Sequence, residues 1–346
     1  MRILGIESSC DETAVAVVES PLTVKSSVVA SQIAQHQPYG GVVPELAARE
    51  HVKAFPPVLE AAMRESGVEW SELDGIAVTQ GPGLSSSLLS GLSVARGLSQ
   101  RLGLPLYPVH HLEGHMLSLY FAEDRPENPC PALVLLVTGG HTALIRMNAP
   151  GEYELLGRSI DDAAGEALDK GARLLNLPYP GGPEIEVLAT SAVGEEPVFP
   201  RGLPSGEEAL NRGGEYAFSF SGLKTALRYH LEKETDVEVS TVAAAYQKAV
   251  MESLITRVSQ ALNDVEDWCC VACVGGVAKN NYLRRGLEAL CGSAGLPLVT
   301  VPLRYCTDNA AMIAMVPMLR EISAANPDIG IDPNFPLQGL RLRGRA

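Results

Sequence analysis

Apolar positions along the chain fall into short unbroken runs separated by stretches of helical spacing. Residues 2–7 and 14–18 predict strands. Between them lies the small polar turn Ser8-Ser9-Cys10-Asp11-Glu12-Thr13. Residues 24–30 predict a third strand, and helical spacing returns over Pro44 to Ser66. Gly75 to Thr79 predicts a buried strand, closed by the breaker Gly81-Pro82-Gly83. A helix over Ser85 to Leu102 and a short strand over Pro105 to Val109 follow. The opening pattern then recurs: Ala132 to Val137 is a strand, Thr138-Gly139-Gly140-His141 a polar turn, and Thr142 to Met147 a strand. Two copies of one unit predict a duplicated α/β fold. Turns of small residues offer backbone N–H groups at close range, which suits phosphate. Ser8-Ser9 and Thr138-Gly139-Gly140 are the expected anion sites. A further strand, Val271 to Val277, contains Gly275-Gly276 and leads to a helix from about Tyr282. Such a junction admits a sugar or base close to the backbone, or is simply a tight turn. Glu195 to Ser219, rich in Gly, Pro and charge, predicts a surface excursion or flexible loop.

The chain has 346 residues, enough for two domains. At 46% hydrophobic and 20% charged residues it can bury a core without disulfide or metal staples. Its apolar runs fall far short of the roughly 18 residues of a membrane span. Glu7, Asp11 and Glu12 soon interrupt the N-terminal run, so no signal peptide or membrane association is expected. Seven cysteines form no regular framework, which predicts a reduced, cytoplasmic compartment. Cys270 and Cys273 lie in an apolar run and read as core. The net charge of −14 argues against a large preformed nucleic-acid surface. RNA would be met by local basic patches, such as Arg284-Arg285 and Arg341, Arg343, Arg345, or by a helper protein.

Four of the seven histidines, His110, His111, His115 and His141, lie close together in sequence. His111 and His115 stand at i and i+4, on one face of a helix, where two imidazoles can share a metal. Asp308, opening a helical run from Asn309 to Leu319, is the expected third ligand, or a plain helix N-cap. In a metalloprotease the glutamate directly follows the first histidine, as in H-E-x-x-H. Here that place is Leu112, and Glu113 is displaced by about 100° around the helix. Two imidazoles and a carboxylate suit iron or zinc, and the ligand set does not choose.

Taken in order, GIESSCDET (from Gly5), GVVPELAAREH (from Gly41), GPGL (from Gly81), HLEGH (from His111), VTGGHT (from Val137), DDAAGEALDK (from Asp161), YPGGP (from Tyr179), FSFSGLKTA (from Phe218), GGVAKN (from Gly275) and CTDNA (from Cys306) run along nearly the whole chain. In these motifs the chain resembles the tRNA N(6)-adenosine threonylcarbamoyltransferase family, TsaD-type, in its bacterial form. The resemblance implies a two-lobed actin-like, Hsp70-like and sugar-kinase-like (ASKHA) fold with duplicated lobes and a central cleft. The lobes are expected at residues 1–110 and 111–346, the second carrying the metal and nucleotide sites, with the last helix and tail packing back on the first. It implies His111, His115 and Asp308 as ligands of one divalent metal, Fe(2+) or Zn(2+). It implies substrate contacts at Leu136, Val137, Thr138, Gly139, Gly140, Asp169, Gly182, Glu186 and Asn280. Glu186 stands where the family usually has aspartate. The implied reaction passes the threonylcarbamoyl group of L-threonylcarbamoyl-adenylate to the exocyclic amine of adenosine 37 in tRNAs reading codons that start with A. Glu12, Glu113 and His141 are the candidate proton acceptors. A smaller paralogous subunit and an accessory ATPase are the implied partners. Metallopeptidase, non-catalytic scaffold, and kinase or ATPase are the competing readings.

Overall fold

The computed structural model describes residues 1–342 except 235–237, 266, 326–327 and 338. Arg343 and Arg345 of the basic tail lie outside the described residues. Contacts divide the chain into two compact units, each with its own sheet.

The first unit comprises Met1–Phe121 and Thr307–Gln338. Strands β1 (Arg2–Glu7), β2 (Glu12–Glu19) and β3 (Thr23–Ser31) form an antiparallel meander. Strands β4 (Gly75–Gly81) and β5 (Leu106–His110) continue the sheet parallel to β1, giving the order β3-β2-β1-β4-β5. β1 and β2 are buried along nearly their whole length, as strands covered on both faces must be. Alternation along β1 sends Leu4 and Ile6 into a core shared with Phe55 and Val58 of helix Pro44–Ser66. The opposite face, at Gly5, meets the backbone of Ala310 and the methyl of Ala314 so closely that a Cβ would collide with both. That close approach seats residues 307–314 against the sheet.

The second unit comprises Ala122–Cys306 and Gly339–Ala346. It repeats the layout: β6 (Ala132–Val137), β7 (Thr142–Ala149) and β8 (Glu152–Arg158) are antiparallel, and β9 (Cys270–Val274) and β10 (Leu298–Thr300) add parallel to β6. β11 (Leu340–Leu342) adds to the free edge of β8, so the order is β10-β9-β6-β7-β8-β11. The expected duplication is thus present strand for strand. Helix Val239–Asp264 buries Tyr246, Val250, Leu254 and Val258 in this unit's core.

Several expectations are corrected. The boundary lies after Phe121, because helix His111–Leu117 springs directly from the end of β5 and packs on Ala311–Ala314. His111, His115 and Asp308 therefore belong to the first unit, not to a C-terminal lobe. Residues 195–219 are largely exposed, as a surface excursion is, but their end is anchored to the sheet. Tyr216 and Phe218 are 2% and 0% exposed, and their amides donate to the carbonyls of Leu156 and Arg158 along β8. The run 309–319 is two short helices, Ala311–Ala314 and Val316–Leu319, because Pro317 cannot donate a helical hydrogen bond. Cys270 and Cys273 are buried on β9, and burial pushes both thiols up to about 12, which makes them poor redox groups. No described helix is long and apolar enough to cross a membrane.

Candidate metal centre and nucleotide-binding loops

The candidate metal site begins with a cap. His110, the last residue of β5, accepts the Leu112 amide at its Nδ1 (3.2 Å) and donates from Nε2 to the Phe335 carbonyl (2.8 Å). This fixes the start of helix His111–Leu117. His111 and His115 then lie one turn apart, their rings 4.8 Å between centroids and nearly perpendicular. Asp308 Oδ1 stands 3.6 Å from His111 Nε2 and 3.0 Å from His115 Nε2. The nearby turn is capped by Asn309, which accepts the Met312 amide at 3.0 Å. Among the described residues, potential ligand atoms of His111, His115 and Asp308 all lie within 4.8 Å of one another.

Behind His111 sits Glu7, fully buried at the end of β1. Its Oε2 accepts His111 Nδ1–H at 3.0 Å and the Thr79 hydroxyl at 2.5 Å, and its Oε1 accepts the Ser9 amide at 2.5 Å. Burial opposes charge on His111, but the Glu7 and Asp308 carboxylates outweigh it and push the imidazole up to about 9. Burial likewise opposes charge on Glu7, yet the facing His111 holds this carboxyl below its usual range. The second histidine differs: His115 Nδ1 is buried with no hydrogen-bond partner among the described residues, so only Asp308 at Nε2 and packing hold that ring. The donor set fits a divalent ion. Both imidazoles turn Nε2 toward one carboxylate oxygen, and the Nδ1–H of His111 is anchored, so a metal that displaces the other proton meets Nε2.

Of the candidate bases, Glu12 is electrostatically linked to the metal centre. Burial and the charges of Asp11 and Asp308 raise its carboxyl well above the ordinary value. Glu113 is turned away and pairs with Arg320 at 3.1 Å, both side chains largely buried. His141, in the second unit, closes a turn: its amide donates to Thr138 Oγ1 (3.0 Å) and its carbonyl accepts the Thr138 amide (2.8 Å).

The expected substrate residues lie in the second unit, at the end of β6 and the turn after it, within helices Ala164–Leu174 and Gly181–Ala189, and at the cap of helix Asn281–Ala294. Leu136 and Val137 end β6, and Thr138, Gly139 and Gly140 follow, both glycines exposed. This turn is hemmed in by two glycines: a Cβ at Gly165 would lie 2.6 Å from the Thr138 carbonyl, and one at Gly275 would strike Val137. Asp169 accepts the Gly181 amide at 2.7 Å, holding the start of helix Gly181–Ala189 and with it Gly182. On that helix Glu186 Oε1 accepts the backbone and side-chain N–H groups of Asn281 at 2.7 and 2.9 Å. Asn280 caps helix Asn281–Ala294 through the Leu283 amide (3.1 Å) and donates to Gln247 (2.9 Å). Two expected anion donors are otherwise engaged: the Ser9 amide binds Glu7, and the Thr138 amide binds His141. The expected Arg284-Arg285 patch is also reduced, since Arg284 bonds the Ala278 carbonyl at 2.7 Å and only Arg285 is exposed.

Glu7 lies within the GIESSCDET motif, but neither it nor Thr79 was assigned a role from the sequence. Their role emerges only where β1, β4 and helix His111–Leu117 meet.

Residues 23–315 match the family model described as tRNA N6-adenosine threonylcarbamoyltransferase (TsaD). A protein of that description from Magnetococcus marinus is 46% identical, over 100% of both chains. One from Brucella suis is 44% identical over 96% of this chain and 94% of its own length. Among solved structures, component A of the (R)-2-hydroxyglutaryl-CoA dehydratase of Acidaminococcus fermentans aligns with a TM-score of 0.53 at 14% identity, covering 91% of this chain and 96% of that one. HypF of T. kodakarensis aligns at 0.57 and 15% identity, covering 90% of this chain and 46% of its own. At such identities these two show the fold alone, which is the ASKHA class expected from the motifs. The full-length relatives and the family model agree: the chain belongs to the tRNA N6-adenosine threonylcarbamoyltransferase family.

Proposed function

We propose that this chain transfers the threonylcarbamoyl group of L-threonylcarbamoyl-adenylate to the exocyclic amine of adenosine 37, in tRNAs that read codons starting with A. Family membership gives the coarser activity, threonylcarbamoyl transfer to N6 of a tRNA adenosine. The observation that best supports a metal-assisted form of that transfer is the convergence of His111, His115 and Asp308, the same residues that the family motifs mark as ligands.

His111, His115 and Asp308 would hold one divalent ion, with Fe(2+) proposed and Zn(2+) the alternative. Such an ion, when bound, supplies Lewis acidity and a template for the carbamoyl or threonyl oxygens. In the second unit, the exposed amides of Gly139 and Gly140 take the anionic part of the donor. Asp169, Gly182, Glu186 and Asn280 frame its adenosine, with Leu136, Val137 and Thr138 forming the floor of the turn. The exocyclic amine, a weak nucleophile, bonds to the carbamoyl carbon, the C–O bond to the phosphate breaks to release AMP, and the amine loses a proton. Glu12, half-buried at the start of β2, is the proton acceptor in this reading. The target adenosine leaves its stack to be reached. With a net charge of −14, the chain recruits tRNA together with a smaller paralogous subunit and an accessory ATPase. The buried Glu113–Arg320 pair favours no peptidase role, since it withdraws the glutamate such a mechanism needs.

The test supplies the adenylate directly, with partner subunits, to tRNA carrying adenosine or guanosine at position 37. Modified nucleoside from the first tRNA alone is expected. Equal modification of both, or none with the adenylate present, would defeat the reading.

A further inference from the structure

We propose that Glu7 is a positioning residue that fixes the ring orientation and tautomer of His111, and so sets the affinity of the metal centre. The inference rests on the metal reading above. Alternation along β1 puts Gly5 and Glu7 on the same face of the strand. Gly5 admits the 307–314 segment that carries Asp308, and Glu7 reaches His111. One strand face therefore registers two of the three ligands.

A buried carboxylate is costly unless its oxygens are satisfied. Glu7 has three donors: the Ser9 amide, the Thr79 hydroxyl and His111 Nδ1–H. The first two clamp the carboxylate whatever the state of His111. The third holds a proton on Nδ1, so the nitrogen that gives up its proton to a metal is Nε2, the one facing Asp308. An anion behind the ring strengthens that donor, and removing such a partner weakens metal binding roughly 10–100-fold. Ser9 Oγ, 3.2 Å from the same Nδ1, can bond the ring but carries no charge. Among the described residues His115 has no such support at its Nδ1.

The experiment measures zinc affinity of the full chain by chelator competition, comparing wild type, His111→Ala and the near-isosteric Glu7→Gln, with thermal melts as a check on folding. Glu7→Gln is expected to fold and to bind zinc roughly 10–100-fold more weakly than wild type. Wild-type affinity in Glu7→Gln overturns the role of Glu7 and leaves the metal centre standing. Wild-type binding no tighter than that of His111→Ala removes the metal centre and this inference with it. Should Glu7→Gln fail to fold, ring-nitrogen NMR of the zinc-loaded wild type decides. A slowly exchanging Nδ1 proton on His111, with zinc on Nε2, supports the proposal; zinc on Nδ1 overturns it.

Discussion

In the metal-free protein the His111–Glu7–Asp308 cluster makes stability depend on pH between 6.5 and about 9. His111 is raised from 6.5 to about 9, so the folded state holds a proton that the unfolded chain releases. Its stabilisation is fully present below pH 6.5 and is lost as pH rises through about 9. For those two values, linkage gives a loss of about 2 kcal/mol between pH 6.5 and about pH 8.5. The cysteines raised by burial lose protons from the unfolded chain mainly above this window, and His51, which burial lowers, contributes below it. Glu12 is raised and acts in the same direction, so a control is needed. The assay is urea unfolding of chelator-treated wild type and His111→Gln at both pH values. Wild type is expected to lose about 2 kcal/mol more than the variant as pH rises. Parallel pH dependence in the two proteins would refute the argument. The same proton competes with a metal, so metal affinity should rise from pH 6.5 towards 9.

Three further outcomes follow from packing. Arg320→Ala leaves Glu113 buried and short of its cation, and should destabilise the protein by about 3–5 kcal/mol in urea unfolding while zinc affinity stays near that of wild type. Phe218→Ala, within the segment first read as an excursion, should cost about 3–5 kcal/mol, where a truly loose loop would lose almost nothing. Gly165→Ala places a methyl 2.6 Å from the Thr138 carbonyl and 2.8 Å from Gly139 Cα, and should displace the turn. Binding of a non-hydrolysable adenylate analogue, followed by calorimetry, should then weaken at least tenfold, whereas unchanged binding would detach the turn from the donor.

Local chemistry explains which parts of the fold were legible in the sequence. Helices Pro44–Ser66 and Ser85–Leu102 fall where their spacing placed them, each followed by a glycine in left-handed conformation, Gly67 and Gly103. The two strand–turn–strand copies were visible because both pairs of strands are buried and uninterrupted. The i, i+4 histidines needed only helical geometry to meet. What lay beyond the sequence depends on partners far along the chain. Glu7 owes its role to Thr79 and His111, and the unit boundary to a chain that returns at Thr307. The composition of 195–219 suggested solvent, yet its few aromatic residues anchor the segment to β8. Pro317 divided a periodic run that hydrophobic spacing alone read as one helix.

The central claim is a transferase whose action depends on the His111–His115–Asp308 centre. It is tested most directly by labelled threonine incorporation into tRNA, with the adenylate-forming enzyme and partner subunits present, comparing wild type with His111→Ala. The account predicts incorporation by wild type and a loss of at least about a hundredfold in the variant. Equal incorporation by a folded His111→Ala protein would contradict it.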